Sequence, residues 1–212
     1  MIRKEIEAYV EAEILPRYRS FDKAHQDNHA RAVIDRSLAL SVHYDVDPEM
    51  VYVAAAYHDT GLVKDRKTHH VVSGTILRED SRLREWFSPD QIETMACAAE
   101  DHRASSDHEP RSLYGRIIAE ADRMIVPESI IRRTVQFGLD HYPELEREGH
   151  WQRTLDHLHE KYAEGGYLKL WIPESPNRDA LERLRQIIRD EAALRRIFEA
   201  VFEEETAGKA TT

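Results

Sequence analysis

Helical periodicity runs through almost the whole chain and excludes most other architectures. Apolar side chains recur every three to four residues, as on one face of a helix, and the strict alternation of a half-buried strand is almost absent. Helix starts are marked at Ser88-Pro89-Asp90 and at Ser175-Pro176, where a capping side chain precedes a proline that suits the first helical turn. The sequence therefore predicts an all-α protein.

The periodic stretches place the expected helices at definite positions. They cover residues 2–19, 27–43, 48–61, 69–79, 88–103, 111–126, 128–139 and 144–163, and a long final helix begins at about residue 175. Only the short segment 167–172 is a candidate for extended structure. We expect one globular domain over residues 1–205, with its motif-bearing core at about residues 25–125, and a disordered tail over residues 206–212.

Charge limits the partners that the protein can bind. The chain carries 30 Lys and Arg against 40 Asp and Glu, a formal net charge of −10. Binding to a nucleic acid polymer or to an anionic membrane depends on basic surface, so neither is expected. No apolar run approaches the ~20 residues of a spanning helix, and the charged first residues lack a signal-peptide core. The single cysteine, Cys97, excludes an internal disulfide. We expect a cytoplasmic protein, with a homo-oligomer left open.

The residues around His58-Asp59 carry the first sign of a functional site. The stretch 53–64 is apolar or small before His58, and Gly61 suits the position just past a helix end. Asp59 then lies near a helix C-terminus, where the backbone dipole disfavours a carboxylate. A buried anion there needs a cation. Lys64 is one candidate, and a metal bound together with the neutral imidazole of His58 is the more specific interpretation.

Asp122 repeats the same anomaly. Its neighbours three and four residues away are all apolar: Ile118, Ala119, Ile125 and Val126. A carboxylate on such a face costs several kcal/mol unless it is paired or bound to a metal, and a buried salt bridge is the alternative. Glu120, by contrast, has Arg116 and Arg123 at helical spacing and is interpreted as a solvated ion-pair former.

Further histidines lie on the inner faces of their predicted helices. His29 shares a stripe with apolar residues, where a hydrogen-bonded core histidine is the alternative. His102 follows the small residues 96–99, and His69-His70 precedes Ser73-Gly74, which clears space one turn after His70. With the two aspartates they form a set of nitrogen and oxygen ligands that suits first-row divalent metals.

The order of these residues resembles the defining pattern of a known superfamily. His29, then His58-Asp59, then Asp122 is similar to the pattern of the HD-domain metal-dependent phosphohydrolases. The resemblance covers roughly residues 25–125 and implies an all-α fold with the metal site in the central helix cluster.

Two more histidines resemble the extra ligands of the subgroup that binds two metals. These are His70, four residues before Gly74, and His102, with His69 as the alternative to His70. The Gly-Tyr-Pro signature of cyclic-di-GMP phosphodiesterases is missing after His102, so cyclic di-GMP is not expected as the substrate.

The resemblance implies one or two divalent ions, with iron, manganese, zinc and magnesium as candidates. They would activate a water that cleaves a phosphate ester bond of a small phosphorylated metabolite or nucleotide. The implied metal ligands are His29, His58, Asp59 and Asp122 for one ion, and His70 and His102 for the second, with Asp59 bridging.

Basic side chains would complement the metals at the substrate phosphate. His58, Asp59 and Arg103 are the expected catalytic residues, and Arg103, Lys64 and Arg66 are the expected phosphate contacts, with Arg123 ranked after them. Glu100 and Asp101 are candidates to orient His102 from behind.

Two other functions are compatible with the same residues. One is a di-iron oxygenase resembling myo-inositol oxygenase, which uses a similar set of four histidines and two aspartates. The other is a metal-binding regulatory module without catalysis. The sequence does not separate the oxygenase from the hydrolase, because both use the same ligand types. Intact ligand residues argue against a regulatory module with a vestigial site.

Overall fold

A computed structural model describes residues 1–21 and 27–209 of the chain, and all regular structure in these residues is helical. The predicted all-α fold is confirmed. The α-helices are α1 (Lys4–Tyr9), α2 (Asp27–Ser41), α3 (Pro48–Tyr57), α4 (His69–Glu79), α5 (Pro89–Glu100), α6 (Leu113–Asp122), α7 (Pro127–His141), α8 (Arg147–Tyr162), α9 (Asn177–Arg189) and α10 (Glu191–Lys209). A π-helical turn (Val10–Ile14) and 3₁₀ segments (Leu15–Ser20, Thr60–Val63, Ser81–Glu85) complete them.

The first expected helix, over residues 2–19, is present as three consecutive helical types. The α-helix α1 passes into the π-helical turn and then into the 3₁₀ segment Leu15–Ser20. Pro16 lies at the start of that segment, where it removes a backbone donor and blocks a regular α-helix. The apolar face survives the change, since Ile6, Val10 and Tyr18 are fully buried.

Helices α3, α5 and α6 end earlier than the sequence pattern predicts. They stop at Tyr57, Glu100 and Asp122, whereas the periodicity continues to residues 61, 103 and 126. Burial persists past each helix end, since Thr60, His102 and Ile125 are buried. The early ends matter for function, since a His or Asp of the predicted site follows or closes each of them.

The long final helix is divided at Asp190 into α9 and α10. The Asp190 carboxylate accepts a hydrogen bond from the N–H of Ala193 at 2.9 Å, as a helix N-cap does. The tail expected from residue 206 is helical as far as Lys209, and the hydroxyl of Thr206 donates to the carbonyl of Phe202 at 2.7 Å. Residues 210–212 of that expected tail lie outside the described residues.

The chain forms two compact units. The first comprises residues 1–124 and 170–175, and the second comprises 125–169 and 176–212, as far as they are described. In the first, α2 packs on α3 and α6, and α5 packs on α3, α4 and α6, around a buried apolar core. In the second, α7, α8, α9 and α10 pack on one another. A single domain over residues 1–205 stays a prediction.

The segment 167–172, the candidate for extended structure, contains no strand. The backbone N–H groups of Trp171 and Ile172 donate to a carboxylate oxygen of Glu120, at 2.7 and 3.4 Å. Glu120 is fully buried, so its interpretation as a solvated ion-pair former was wrong. Helical spacing to two arginines did not reveal that a segment about fifty residues later covers this carboxylate.

Among the described helices, none combines the length and the apolar character needed to span a membrane.

Candidate metal centre

Most of the predicted metal ligands lie around one carboxylate, that of Asp59, in the core of the first unit. His58-Asp59 follows the last residue of α3, and His102 follows α5 after a single turn residue. Asp59 Oδ2 lies 3.3 Å from His58 Nε2 and 3.6 Å from His29 Nε2. Asp59 Oδ1 lies 3.3 Å from both His102 Nε2 and His69 Nε2. Each oxygen of Asp59 therefore faces its own pair of histidines.

Asp122 lies on one side of this arrangement only. As the last residue of α6, it places Oδ1 3.2 Å from His29 Nε2 and 3.8 Å from His58 Nε2. We name His29, His58, Asp59 and Asp122 the first ligand group, and Asp59, His69 and His102 the second. The ligand atoms within His29, His58 and Asp59, and within the whole second group, are close enough to share a metal ion.

His69, and not His70, completes the second ligand group, so the choice of His70 is corrected. His69 Nε2 lies 3.1 Å from His102 Nε2. The Nδ1 atom of His70 is buried and finds no hydrogen-bond partner among the described residues. Burial and the charge of Arg103 lower the pKa of His70 to about 4.

Glycine positions explain why spacing to Gly74 misled the sequence interpretation. A Cβ at Gly74 would overlap the Glu100 carboxylate, so this glycine makes room for α5 rather than for a ligand. Gly61 is the glycine that allows His69 its position, because a Cβ at Gly61 would overlap the backbone carbonyl of His69. The N–H of Gly61 also donates to the Ser73 hydroxyl at 2.9 Å, which fixes the turn against α4.

Backbone carbonyls set the tautomers of the histidine rings. The Nδ1 atoms of His58, His69 and His102 contact the carbonyls of Ala55, Arg66 and Ala99 at 2.7, 2.8 and 2.6 Å. A carbonyl only accepts, so each Nδ1 carries the proton and each Nε2 presents a lone pair in the neutral ring. This is the arrangement of metal-binding histidines, whose other nitrogen donates to a backbone carbonyl. The residues present therefore fit a divalent metal.

The carboxylates set the electrostatic character of the centre. Asp59 is 3% exposed, and burial alone would favour its neutral form. The facing histidines outweigh burial and hold the pKa of Asp59 well below its usual value. Burial also opposes the charged form of His29, yet hydrogen bonds with Asp122 and Asp59 raise the pKa of His29 to about 9. The centre thus stabilises positive charge placed between its histidines and aspartates.

Glu100 and Asp101 do not orient the His102 ring, because Ala99 occupies its Nδ1. Both carboxylates instead bind Arg111. Asp101 accepts from the backbone N–H of Arg111 at 2.7 Å and from its Nε at 2.9 Å, and Glu100 accepts from its Nη2 at 2.6 Å. They fix the turn that carries His102 rather than the ring itself.

The basic candidates occupy different environments. Lys64 and Arg66 are exposed on the segment that leads into α4. Arg103 is half-buried, and its Nη1 donates to the carbonyl of Lys67 at 2.7 Å, which ties the turn after α5 to that segment. Arg123 is buried, and its Nε and Nη1 have no hydrogen-bond partner among the described residues. Burial lowers the pKa of Arg123 against the opposing charges of Asp122 and Glu120.

The all-helical core gathers histidines around a shared aspartate, in groups that could hold a metal ion. Residues 27–125 match the family model of the HD domain. This segment, a little under half of the chain, contains every member of both ligand groups, and it is similar to the HD-domain superfamily of metal-dependent phosphohydrolases. No curated protein matches the chain, and no solved structure matches it.

Proposed function

We propose that the protein is a metal-dependent phosphohydrolase that cleaves a phosphate ester bond of a small phosphorylated metabolite or nucleotide. The observation that carries the proposal is the position of Asp59, whose two oxygens each face a separate histidine pair at 3.3 to 3.6 Å. One divalent ion would be held by the first ligand group and a second by the second ligand group, with Asp59 shared.

Divalent ions bound there supply an activated water and positive charge for a phosphoryl group. The protein contributes fixed ligand geometry, because backbone carbonyls hold the rings of His58, His69 and His102 in a single orientation. His58 and Asp59 act in this proposal as ligands and as the groups that hold the reacting centre, with no nucleophilic side chain required.

Arg103, Lys64 and Arg66 are proposed to contact the substrate phosphate. The support is that the segment carrying Lys64 and Arg66 is hydrogen-bonded to His69 and to the residue that follows His102. Its Arg66 carbonyl accepts from His69, and its Lys67 carbonyl accepts from Arg103, which directly follows His102. Arg103 ranks first because only Nη1 is used in that contact, and a guanidinium has further N–H donors for a phosphate.

A small, phosphate-containing molecule is the proposed partner. A net charge of −10 gives no general affinity for a nucleic acid polymer or an anionic membrane, while a local group of basic residues can still bind a compact anion. The cytoplasmic location and a homo-oligomeric state stay predictions.

The test compares metal content with hydrolysis. Purified protein is assayed for bound metal, stripped with a chelator, reloaded with manganese, iron, zinc or magnesium, and screened for phosphate or nucleotide release from phosphomonoesters, phosphodiesters and nucleotides. We expect activity that disappears with the metal and in Asp59→Ala. Asp35→Ala, which removes an exposed carboxylate from α2, is the matched control and should retain activity.

Three results would contradict the proposal. Full hydrolytic activity of folded Asp59→Ala would mean that the reaction does not require the shared aspartate. Bound metal without any phosphate ester hydrolysis would favour the regulatory module, and turnover that requires oxygen would favour the di-iron oxygenase. The hydrolase is expected to work equally well under strict anaerobiosis.

A further inference from the structure

Three successive carbonyl groups at the end of α3 each accept a hydrogen bond from a side chain. The His58 ring contacts Ala55 at 2.7 Å, the Tyr18 hydroxyl donates to Ala56 at 2.9 Å, and the Thr60 hydroxyl donates to Tyr57 at 2.8 Å. Carbonyls at a helix C-terminus have no partner within the helix, so side chains or water must satisfy them. The last carbonyls of α3, the helix that precedes Asp59, are therefore satisfied by side chains.

Tyr18 is the long-range member of this set. His58 and Thr60 lie three residues from the carbonyls that they contact, whereas Tyr18 comes from the 3₁₀ segment Leu15–Ser20, 38 residues earlier in the chain than Ala56. It is fully buried, and its ring lies 5.4 Å from Phe21 and 6.3 Å from the His58 ring, measured between centroids. It also lies outside residues 27–125, the segment that matches the HD domain.

The Tyr18 hydroxyl contacts the backbone of Asp59 as well. The Asp59 N–H donates to this oxygen at 3.2 Å, while the hydroxyl proton goes to Ala56. One buried oxygen thus joins the last turn of α3 to the peptide of the residue shared by both ligand groups. A buried N–H without a partner is costly, so Asp59 can move away from Tyr18 only by losing this bond.

We propose that Tyr18 is a positioning residue for the metal centre, and this inference rests on the proposed metal-dependent function. Its hydroxyl fixes the Asp59 peptide so that the carboxylate stays between the two histidine pairs. Tyr18 does not contact substrate or metal in this proposal; it acts through Asp59.

A second buried tyrosine provides a matched control. Tyr57 is fully buried beside His58, and its hydroxyl donates to Asp80 at 2.5 Å instead of to the backbone of the centre. Tyr18→Phe and Tyr57→Phe therefore each delete one phenol oxygen from a buried ring in the core of the first unit. Only Tyr18→Phe removes a bond to Asp59.

The experiment measures the dissociation constants of manganese and cobalt by competition with a chelator, together with thermal unfolding and the visible spectrum of the cobalt-loaded protein. We expect Tyr18→Phe to bind metal about 10- to 100-fold more weakly, the range found when a contact behind a ligand is removed, and to change the cobalt spectrum. Tyr57→Phe should lose comparable thermal stability while keeping wild-type affinity and spectrum.

Replacement of Tyr18 by 4-aminophenylalanine separates the two bonds and serves also if Tyr18→Phe does not fold. The aniline nitrogen still donates to Ala56 but accepts poorly from Asp59, so metal affinity should fall with little loss of stability. Wild-type metal affinity in the 4-aminophenylalanine variant or in Tyr18→Phe would overturn the inference. Equal weakening of metal binding in Tyr57→Phe would overturn it as well.

These outcomes are distinct from failure of the proposed function. Tight metal binding without phosphate ester hydrolysis would contradict the hydrolase proposal. The role of Tyr18 would then still be decided by the metal affinities of the variants. A wild-type protein that binds no divalent metal overturns both.

Discussion

The Nε2 atoms of His69 and His102 lie 3.1 Å apart, and in the neutral rings neither can donate to the other. Both protons are on Nδ1, which donates to a backbone carbonyl in each ring. Asp59 Oδ1 lies 3.3 Å from both nitrogens. These two nitrogens and the Asp59 oxygen direct lone pairs at one point, and they repel one another unless a cation lies between them. The fold therefore creates a position that favours a bound cation.

The first prediction separates His69 from its neighbour. His69→Ala removes a ligand from the second ligand group and should weaken metal binding there at least about 10-fold, the lower end of the range for contacts behind a ligand. His70→Ala should leave affinity close to wild type, because His70 Nδ1 has no partner among the described residues and Nε2 of His69 is the atom beside Asp59. Metal titration by calorimetry measures both. A greater loss of metal affinity in His70→Ala than in His69→Ala would support His70 as the ligand, as the sequence predicted.

The second prediction concerns Gly61. A Cβ there would collide with the backbone of His69 and lie 2.6 Å from the backbone nitrogen of Ser73. Backbone cannot shift as a side chain does, so Gly61→Ala should cost about 3 kcal/mol, the upper end of the usual range for overpacking, and reduce metal binding. Denaturant unfolding measures the loss.

Gly149→Ala is the control for Gly61→Ala. The atoms nearest to the new methyl group belong to the Leu145 side chain, at 3.2 Å and beyond, and the position lies within helix α8. Alanine is favoured over glycine in a helix by up to about 1 kcal/mol, so stability should stay close to wild type. Equal losses in the two variants would mean that the turn at Gly61 has room for a side chain.

The third prediction tests the buried Glu120 carboxylate. Glu120→Ala deprives the N–H groups of Trp171 and Ile172 of their shared acceptor. Unfolding free energy should fall by about 1–3 kcal/mol, the cost of leaving buried polar groups unsatisfied. Exposed Glu79 near the end of α4 is the control, and Glu79→Ala should change stability by less than about 0.5 kcal/mol. Chemical unfolding followed by tryptophan fluorescence compares them.

The fourth prediction is a pH dependence. Arg78 donates to Glu93 at 2.7 and 2.8 Å and also to Glu100, and its hydrogen bonds lower the pKa of Glu93 to about 2. A carboxyl whose pKa is depressed by folding adds stability above its unfolded value, and this stability is lost as pH falls towards the folded value. The contribution of Arg78 should therefore be full at pH 6 and mostly gone near pH 2.

Arg78→Met should accordingly lower the unfolding free energy by about 1 kcal/mol at pH 6, a modest value because Glu93 is largely exposed. The difference from wild type should shrink as the pH falls from 4.5 to 2. Arg82→Met is the control, since Arg82 pairs with Glu85 where both side chains are more than half exposed. A difference that stays constant over this range would contradict the assignment.

The fold was predictable because each helix is marked by a pattern within its own sequence. Apolar spacing and caps such as Ser88, whose hydroxyl accepts from Gln91 in the structure, need no knowledge of distant residues. The convergence of His29, His58, Asp59, His102 and Asp122 followed from a motif whose order implies one site.

The features that were missed all depend on contacts between distant segments. Whether His69 or His70 faces Asp59 is decided by the close approach of Gly61 to the start of α4. Glu120 is buried because Trp171 and Ile172 return to it. Tyr18 contacts the backbone of Asp59 from 41 residues earlier in the chain. No pattern within one helix carries this information, and the signal for Gly61 was visible only as a helix end.

The fifth prediction follows from the sharing of Asp59 between two groups. Asp122 Oδ1 lies 3.2 Å from His29 Nε2, so Asp122→Asn should weaken only the first ligand group, and His69→Ala only the second. Each variant should retain about half of the metal that wild type binds at saturation, whereas Asp59→Ala should lose both ions because each of its oxygens faces one group. Elemental analysis after gel filtration in metal-supplemented buffer measures these ratios. If Asp122→Asn emptied both groups, the two would act as one site, and the division of the Asp59 carboxylate between them would have no chemical meaning.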